Sequence, residues 1–199
     1  MYRLYDFLPS GNGYKVRLLL NLLEIPFTRV ELNILERETR TPEFLQKNPN
    51  GKIPLLQITT DKFLAESNAI LYYLSQETEY FPQDKYAQSQ VMQWLFFEQY
   101  SHEPFIATSR YWISILKQPE KYREQLEHKH RLGYAALEVM GRHLEHRSYF
   151  VGETYTIADI ALYAYTHVAE EGGFDLQRFP QILAWFERIE AHPRHIVLR

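Results

Sequence analysis

The sequence predicts an α/β domain of about eighty residues followed by an all-helical domain. Three observations support this. Strand patterns and helix patterns alternate up to residue 78 and no comparable strand pattern follows Asp84. The helical patterns after Asp84 are long and rich in aromatic residues. Within the first of these stretches, Asn48 to Leu56 joins a turn signal, Pro49-Asn50-Gly51, to an apolar run interrupted at its start by Pro54.

Tyr2 to Phe7 reads as a first strand, followed by the turn Pro9-Ser10-Gly11-Asn12-Gly13. A helix over Tyr14–Leu23 presents Val16, Leu18 to Leu20, Leu22 and Leu23 as a broad apolar face, which Lys15, Arg17 and Asn21 interrupt. Phe27 to Leu32 alternates as a second strand, and a strand–helix–strand unit of this length implies a parallel pair. Thr41-Pro42-Glu43 is a helix start, with Thr41 as N-cap and a short helix to Lys47. Ile53 to Ile58 and Lys62 to Ala65 are the third and fourth strands, and Ser67 to Glu77 is a helix.

Thr78 to Asp84 reads as a linker, which places domains at 1–78 and 85–199. A long helix from Lys85 to about Leu116 carries Val91, Trp94, Leu95, Phe96 and Phe97, and Pro104 must kink or break it because proline lacks a backbone donor. Tyr122, Leu126, Gly133, Leu137, Met140 and Leu144 keep helical spacing in the next element. His143 and His146 lie three apart with no acidic or cysteine partner at ligand spacing, so they read as solvated cations at a helix end and no metal site is expected. Thr156 and Asp159 form a capping box, a folding signal, and Pro180 to Ala191 is the last helix.

Composition narrows the function. A net charge of −3 with dispersed Lys and Arg offers no footprint for nucleic acid or an anionic membrane. No apolar stretch is long enough to span a bilayer and the N-terminus reads straight into a strand, so the expectation is a soluble, cytoplasmic protein. Cysteine is absent, so any thiol chemistry must use a thiol brought by a ligand.

Two places suit a small zwitterionic peptide. A tight turn is a common setting for a cis X-Pro bond, and a cis Ile53-Pro54 would turn the backbone of Ile53 outward to pair with an extended ligand. Glu66 and Ser67 stand where a strand pattern meets a helix N-terminus, a setting that favours anions. The plain alternatives are a turn shaped by Pro54 and helices capped by Ser67 and Ser10.

Taken in order, these features resemble the cytosolic glutathione transferase family over nearly the whole chain: Ser10 at the first helix, the N-P-x-G-x-I-P turn, the Glu66-Ser67 pair, the linker, and a helical half with Gly152 and Thr156-Ile-Ala-Asp159. Ser10 in S-G-N-G-Y-K-V-R is similar to the serine-type bacterial and plant members. The resemblance implies a thioredoxin-like N-terminal domain and an all-α C-terminal domain, a homodimer, glutathione as co-substrate without a cofactor or metal, and conjugation of its thiolate to a small hydrophobic electrophile. It implies that Ser10 stabilises the thiolate, with Asn12 in reserve. Ile53, before Pro54, would pair with the cysteinyl part, Glu66 and Ser67 would hold the γ-glutamyl end, and Lys52 and Arg40 are candidates for the glycine carboxylate. Phe7, Leu8, Phe105, Tyr111 and Trp112 are candidates for an apolar second-substrate wall, or equally for core.

Three other readings compete. A dinucleotide fingerprint at Gly11-Asn-Gly13 fails at its third glycine, where Val16 stands. A glutaredoxin-like reductase lacks a protein cysteine and would have to work through bound glutathione. An interaction module on the same fold would have no reason to keep Ser10, Ile53-Pro54 and Glu66-Ser67 together.

Overall fold

The computed structural model describes residues 1–198 and divides the chain into two compact units. The first comprises Met1–Gln76 together with the C-terminal segment from Arg194, and the second is Glu77–Pro193.

In the first unit the order is β1 (Tyr2–Asp6), α1 (Gly11–Leu22), β2 (Phe27–Glu31), α2 (Pro42–Lys47), β3 (Leu55–Gln57), β4 (Phe63–Ala65) and α3 (Ser67–Ser75). The sheet order is β2-β1-β3-β4, with β1 and β2 parallel and the other pairs antiparallel. Tyr5 faces Leu55 across the ladder and packs with Phe44 of α2 into one small core. Neighbouring positions point the other way, as a period of two requires, and there Leu4 and Leu56 are fully buried. Thr41 caps α2 as expected, accepting from the Phe44 N–H at 3.3 Å. The third strand is shorter than the apolar run, because Pro54 has no N–H and Ile58 instead donates to Lys62 O at 2.9 Å in the β3–β4 turn. From Arg194 the chain returns to this unit: Tyr14 Oη donates to Ile196 O at 2.6 Å and Arg194 pairs with Glu24 at 2.9 Å.

The second unit holds α4 (Lys85–Phe97), α5 (Glu103–Arg110), α6 (Arg123–Leu144), α7 (Ile157–Thr166) and α8 (Pro180–Glu190). The expected long helix breaks as predicted, through a π-turn at Glu98–His102 in which Glu103 N–H reaches back to Glu98 O. Pro104 then falls in the first turn of α5, where its missing N–H has no intrahelical partner to lose. Phe96 departs from the core pattern and is 66% exposed, while Val91, Trp94 and Leu95 are buried. The segment read as a linker is anchored: Tyr80 and Phe81 are buried and Tyr80 O accepts from Ile157 N–H at 3.0 Å.

His143 corrects the reading as a solvated cation. It is half-buried, its ring stacks on Phe150, and it donates from Nε2 to Phe150 O at 3.0 Å. Burial therefore lowers its pKa, and the neighbouring Arg147 charge adds to that. His146 is exposed. Among the described residues no group of three or more His, Asp or Glu side chains is arranged to hold a metal ion, and no helix is long and apolar enough to cross a membrane.

The capping box extends further than its four residues suggest. The buried Asp159 carboxylate accepts from Thr156 N–H and Oγ1 at 2.9 and 3.0 Å, and also from Phe150 N–H and Trp185 Nε1, both at 3.0 Å. It joins the start of α7 to the preceding loop and to α8.

Candidate functional site

The first unit carries a pocket of about 330 Å³ built by three pieces of chain. The β1–α1 loop contributes Ser10, the segment after β2 contributes Ile34, Arg37, Thr39 and Arg40, and the turn before β3 contributes Gly51, Lys52 and Ile53. Arg37, Arg40 and Lys52 are exposed cations, and no acidic side chain is among the lining residues. The pocket is therefore electropositive and suits a ligand with an anionic end.

Ser10 is the N-cap of α1, and its Oγ accepts from Gly13 N–H at 3.2 Å. That contact uses an acceptor lone pair, so the hydroxyl hydrogen is available to donate outward. The first turn of α1 holds no acidic residue to oppose the positive end of the helix. The loop before Ser10 is held at several points. Ser10 N–H donates to Phe7 O at 2.7 Å, Phe7 N–H to Asp6 Oδ1 at 2.7 Å, and Leu8 N–H to Glu31 Oε1 at 3.1 Å. Arg17 donates to Leu8 O at 2.7 Å and pairs with buried Asp6 at 2.9 Å. Burial raises the Asp6 pKa to about 6 against the lowering effect of Arg17. Gly13 permits this arrangement, since a Cβ there would lie 1.6 Å from Asp6 Oδ1.

The turn before β3 is shaped by Asn48, which is buried, donates from Nδ2 to Lys52 O at 2.8 Å and accepts from Asn50 N–H at 3.2 Å. Gly51 has φ +61, and a Cβ there would lie 2.6 Å from Arg40 Nη1, which donates to Asn50 O at 3.0 Å. Ile53–Pro54 is cis, and Ile53 precedes the ladder, whose pairing starts at Leu55.

Of the predicted glutathione residues, Ser10, Arg40, Lys52 and Ile53 line one pocket. Pro54 is buried and is not among the lining residues. Glu66 and Ser67 stand at the start of α3: Glu66 is exposed with φ 68, and Ser67 is buried. Ser67 Oγ donates to Asn12 Oδ1 at 3.1 Å, so Asn12 braces α1 against α3. Sequence reading missed Ile34, Arg37 and Thr39. The only sequence signal for Arg37 is a second arginine three residues before Arg40, since nothing local announces its left-handed backbone at φ 62.

The second-substrate candidates divide. Phe7 and Leu8 belong to the loop before Ser10. Phe105 lines a separate, mostly apolar pocket of about 680 Å³ in the helical unit, together with Tyr100, Pro104, Leu132 and Val139. Tyr111 and Trp112 are not among its lining residues, and Trp112 stacks on Tyr122 at 4.4 Å.

Comparison with known proteins fits this geometry. Residues 1–76 match the glutathione S-transferase N-terminal domain and residues 92–193 the glutathione S-transferase C-terminal domain. A glutathione S-transferase structure from Pseudomonas fluorescens Pf-5 superposes with a TM-score of 0.97 at 50% identity, covering 99% of this chain and 98% of that one. The disulfide-bond oxidoreductase YfcG of Escherichia coli K12 is 29% identical, covering 94% of this chain and 89% of its own length. Ure2p in complex with glutathione superposes with a TM-score of 0.85 at 25% identity, over 97% of this chain and 90% of that one. The first unit carries a pocket lined by Ser10 of the helix cap and by Ile53 of the turn before β3, both family domains match, and the chain belongs to the glutathione S-transferase family.

Proposed function

We propose that the protein is a cytoplasmic enzyme that conjugates the thiolate of reduced glutathione to small hydrophobic electrophiles, and that it works as a homodimer. The observation that carries this reading is the pocket that Ser10, Ile53 and the cations Arg37, Arg40 and Lys52 line together. In this reading Ile53 pairs with the cysteinyl backbone, Lys52 and Arg40 take the glycine carboxylate, and Glu66 and Ser67 take the γ-glutamyl head. Phe7 and Leu8, in the loop before Ser10, supply apolar surface for the electrophile.

The chemistry needs the thiolate, because the thiol is a poor nucleophile. Lowering a thiol pKa from ~8.5 by about two units takes roughly 2.7 kcal/mol of differential stabilisation. A charge-assisted hydrogen bond from Ser10 supplies roughly 1.5–3 kcal/mol, and the start of α1 adds about 0.3–1 kcal/mol. One hydroxyl at a helix N-terminus is thus nearly sufficient without a strong base. The sulfur then forms a bond to the electrophilic carbon, and the leaving group departs with its electron pair. Asn12 is the alternative donor, although its Oδ1 is engaged with Ser67.

A second reading has specific support. The likeness to a disulfide-bond oxidoreductase, in a chain without cysteine, favours disulfide reduction through bound glutathione. There the thiolate attacks a disulfide sulfur and expels a thiolate, and a second glutathione resolves the mixed disulfide. The test runs both reactions on purified protein, with an aryl halide and with a small disulfide coupled to glutathione recycling. Conjugation that exceeds disulfide reduction and falls at least ~10-fold in Ser10→Ala supports the first reading. Reduction alone supports the second. Neither reaction, with no glutathione binding, leaves a binding module on a transferase fold.

A further inference from the structure

The residues Phe7 to Ser10 join β1 to α1, and two charged side chains that hold this loop are buried: Asp6 is 0% and Arg17 5% exposed. A buried ion pair is weak grounds for stability, because desolvating both charges offsets most of their attraction. Its value lies in what it holds. Arg17 Nε pairs with Asp6 Oδ2 at 2.9 Å while Nη2 donates to Leu8 O at 2.7 Å. The other Asp6 oxygen accepts from Phe7 N–H at 2.7 Å, and Phe7 O accepts from Ser10 N–H at 2.7 Å. From β2, Glu31 Oε1 accepts from Leu8 N–H at 3.1 Å, so the Leu8 backbone is held on both sides. Hydrogen bonds thus lead from the guanidinium through Asp6 and Phe7 to the backbone that carries the Ser10 side chain.

The α1 side of the loop meets the same pair. Gly13 and Arg17 are four apart and share a helix face, and Asp6 lies against both. Gly13 N–H donates to Ser10 Oγ at 3.2 Å. The planar fork of an arginine sets its donors in a fixed relation, whereas a lysine keeps the charge on a flexible stem without that geometry. Placement matters here, since a displacement of about 1 Å can cost about 10²-fold in rate.

We propose that Arg17 is a positioning residue for the thiolate chemistry, and that its simultaneous hold on Asp6 and Leu8 O fixes the Ser10 hydroxyl where it meets the sulfur. This rests on the Ser10 reading above and adds to it a residue that does not line the pocket. Arg17 acts through Ser10 and not on the ligand.

The test measures the thiol pKa of bound glutathione by ultraviolet thiolate absorbance, and turnover with an aryl halide, in wild type, Arg17→Lys, Ser10→Ala and the double variant. Arg17→Lys keeps the charge and should raise the bound thiol pKa by about 0.5–1 unit and lower kcat by about 3–10-fold, with KM for glutathione within about 2-fold. In the Ser10→Ala background the same substitution should move the thiol pKa by less than about 0.2 unit, because residues that act through one another do not add. An unchanged thiol pKa in folded Arg17→Lys overturns the proposal. So does an equal shift in the Ser10→Ala background, since Arg17 would then act without Ser10. If Arg17→Lys does not fold, Asp6→Asn decides: its amide oxygen still accepts from Phe7 N–H, but its charged hold on the guanidinium is lost. Removing a negative charge by itself lowers a nearby thiol pKa, so a rise supports the proposal and a fall or no change overturns it. A Ser10→Ala thiol pKa equal to that of wild type refutes the Ser10 reading itself, which separates that failure from a failure of Arg17.

Discussion

Replacing Asp159 by alanine tests the frame of the helical unit. Three donors fixed in place, Phe150 N–H, Thr156 N–H and Trp185 Nε1–H, lose their acceptor, while the Thr156 hydroxyl can rotate to a new one. A buried donor left unsatisfied costs about 1–3 kcal/mol, so the three together cost about 6 kcal/mol. Against that stands relief from burying the carboxylate, whose pKa is raised from 3.8 to about 6 chiefly by desolvation. A shift of about two units corresponds to about 3 kcal/mol, leaving a net loss of about 3 kcal/mol at pH 7. The pH dependence follows from the sign of that shift. Between the unfolded and folded pKa values the native state binds the extra proton, so the contribution of Asp159 to wild-type stability rises as pH falls through about 6 toward 4. The gap between wild type and Asp159→Ala therefore widens from pH 7 to pH 5. Urea unfolding followed by tryptophan fluorescence measures it, since all three tryptophans, Trp94, Trp112 and Trp185, lie in the helical unit. A loss below about 1 kcal/mol, or a gap that narrows on acidification, refutes the reasoning.

Other perturbations act on the first unit. Gly13→Ala places a methyl 1.6 Å from Asp6 Oδ1 and should lower stability by about 1–3 kcal/mol in thermal unfolding, because the carboxylate is pinned by Arg17 and Phe7 N–H. Gly51→Ala combines a left-handed backbone at φ +61 with a Cβ 2.6 Å from Arg40 Nη1, so it should cost about 1–2 kcal/mol and also weaken glutathione in a binding titration. Arg40→Ala removes an exposed cation from the pocket and should weaken glutathione by about 3–10-fold, an effect that shrinks in high salt.

How much of this was legible in the sequence depended on how far apart the partners lie. The Thr41 cap, the Thr156–Asp159 box and the break at Pro104 rest on residues within one helical turn, and the structure has all three. The Ser10 cap and the Pro49-Asn50-Gly51 turn belong to the same class, which is why half of the candidate pocket could be named in advance. Lys15 could not be read, because its contact to Ser67 spans 52 residues and local periodicity registers it only as a polar interruption. His143 was misread for the same reason, since the rings packed against it, Trp94 and Phe150, come from α4 and from the loop after α6. Arg37 escaped because its place on the pocket wall depends on a left-handed turn that an arginine does not advertise. The third strand was overestimated because apolar content continues past the point where the backbone can pair.

The most direct test of the thiolate mechanism is an ultraviolet titration of glutathione bound to wild type and to Ser10→Ala, reading thiolate absorbance against pH. The account predicts a thiol pKa about two units below the free value of ~8.5 in wild type, and a return of at least one unit in Ser10→Ala with glutathione still bound. An equally low pKa in both proteins contradicts it and moves the chemistry to Asn12 or to the start of α1.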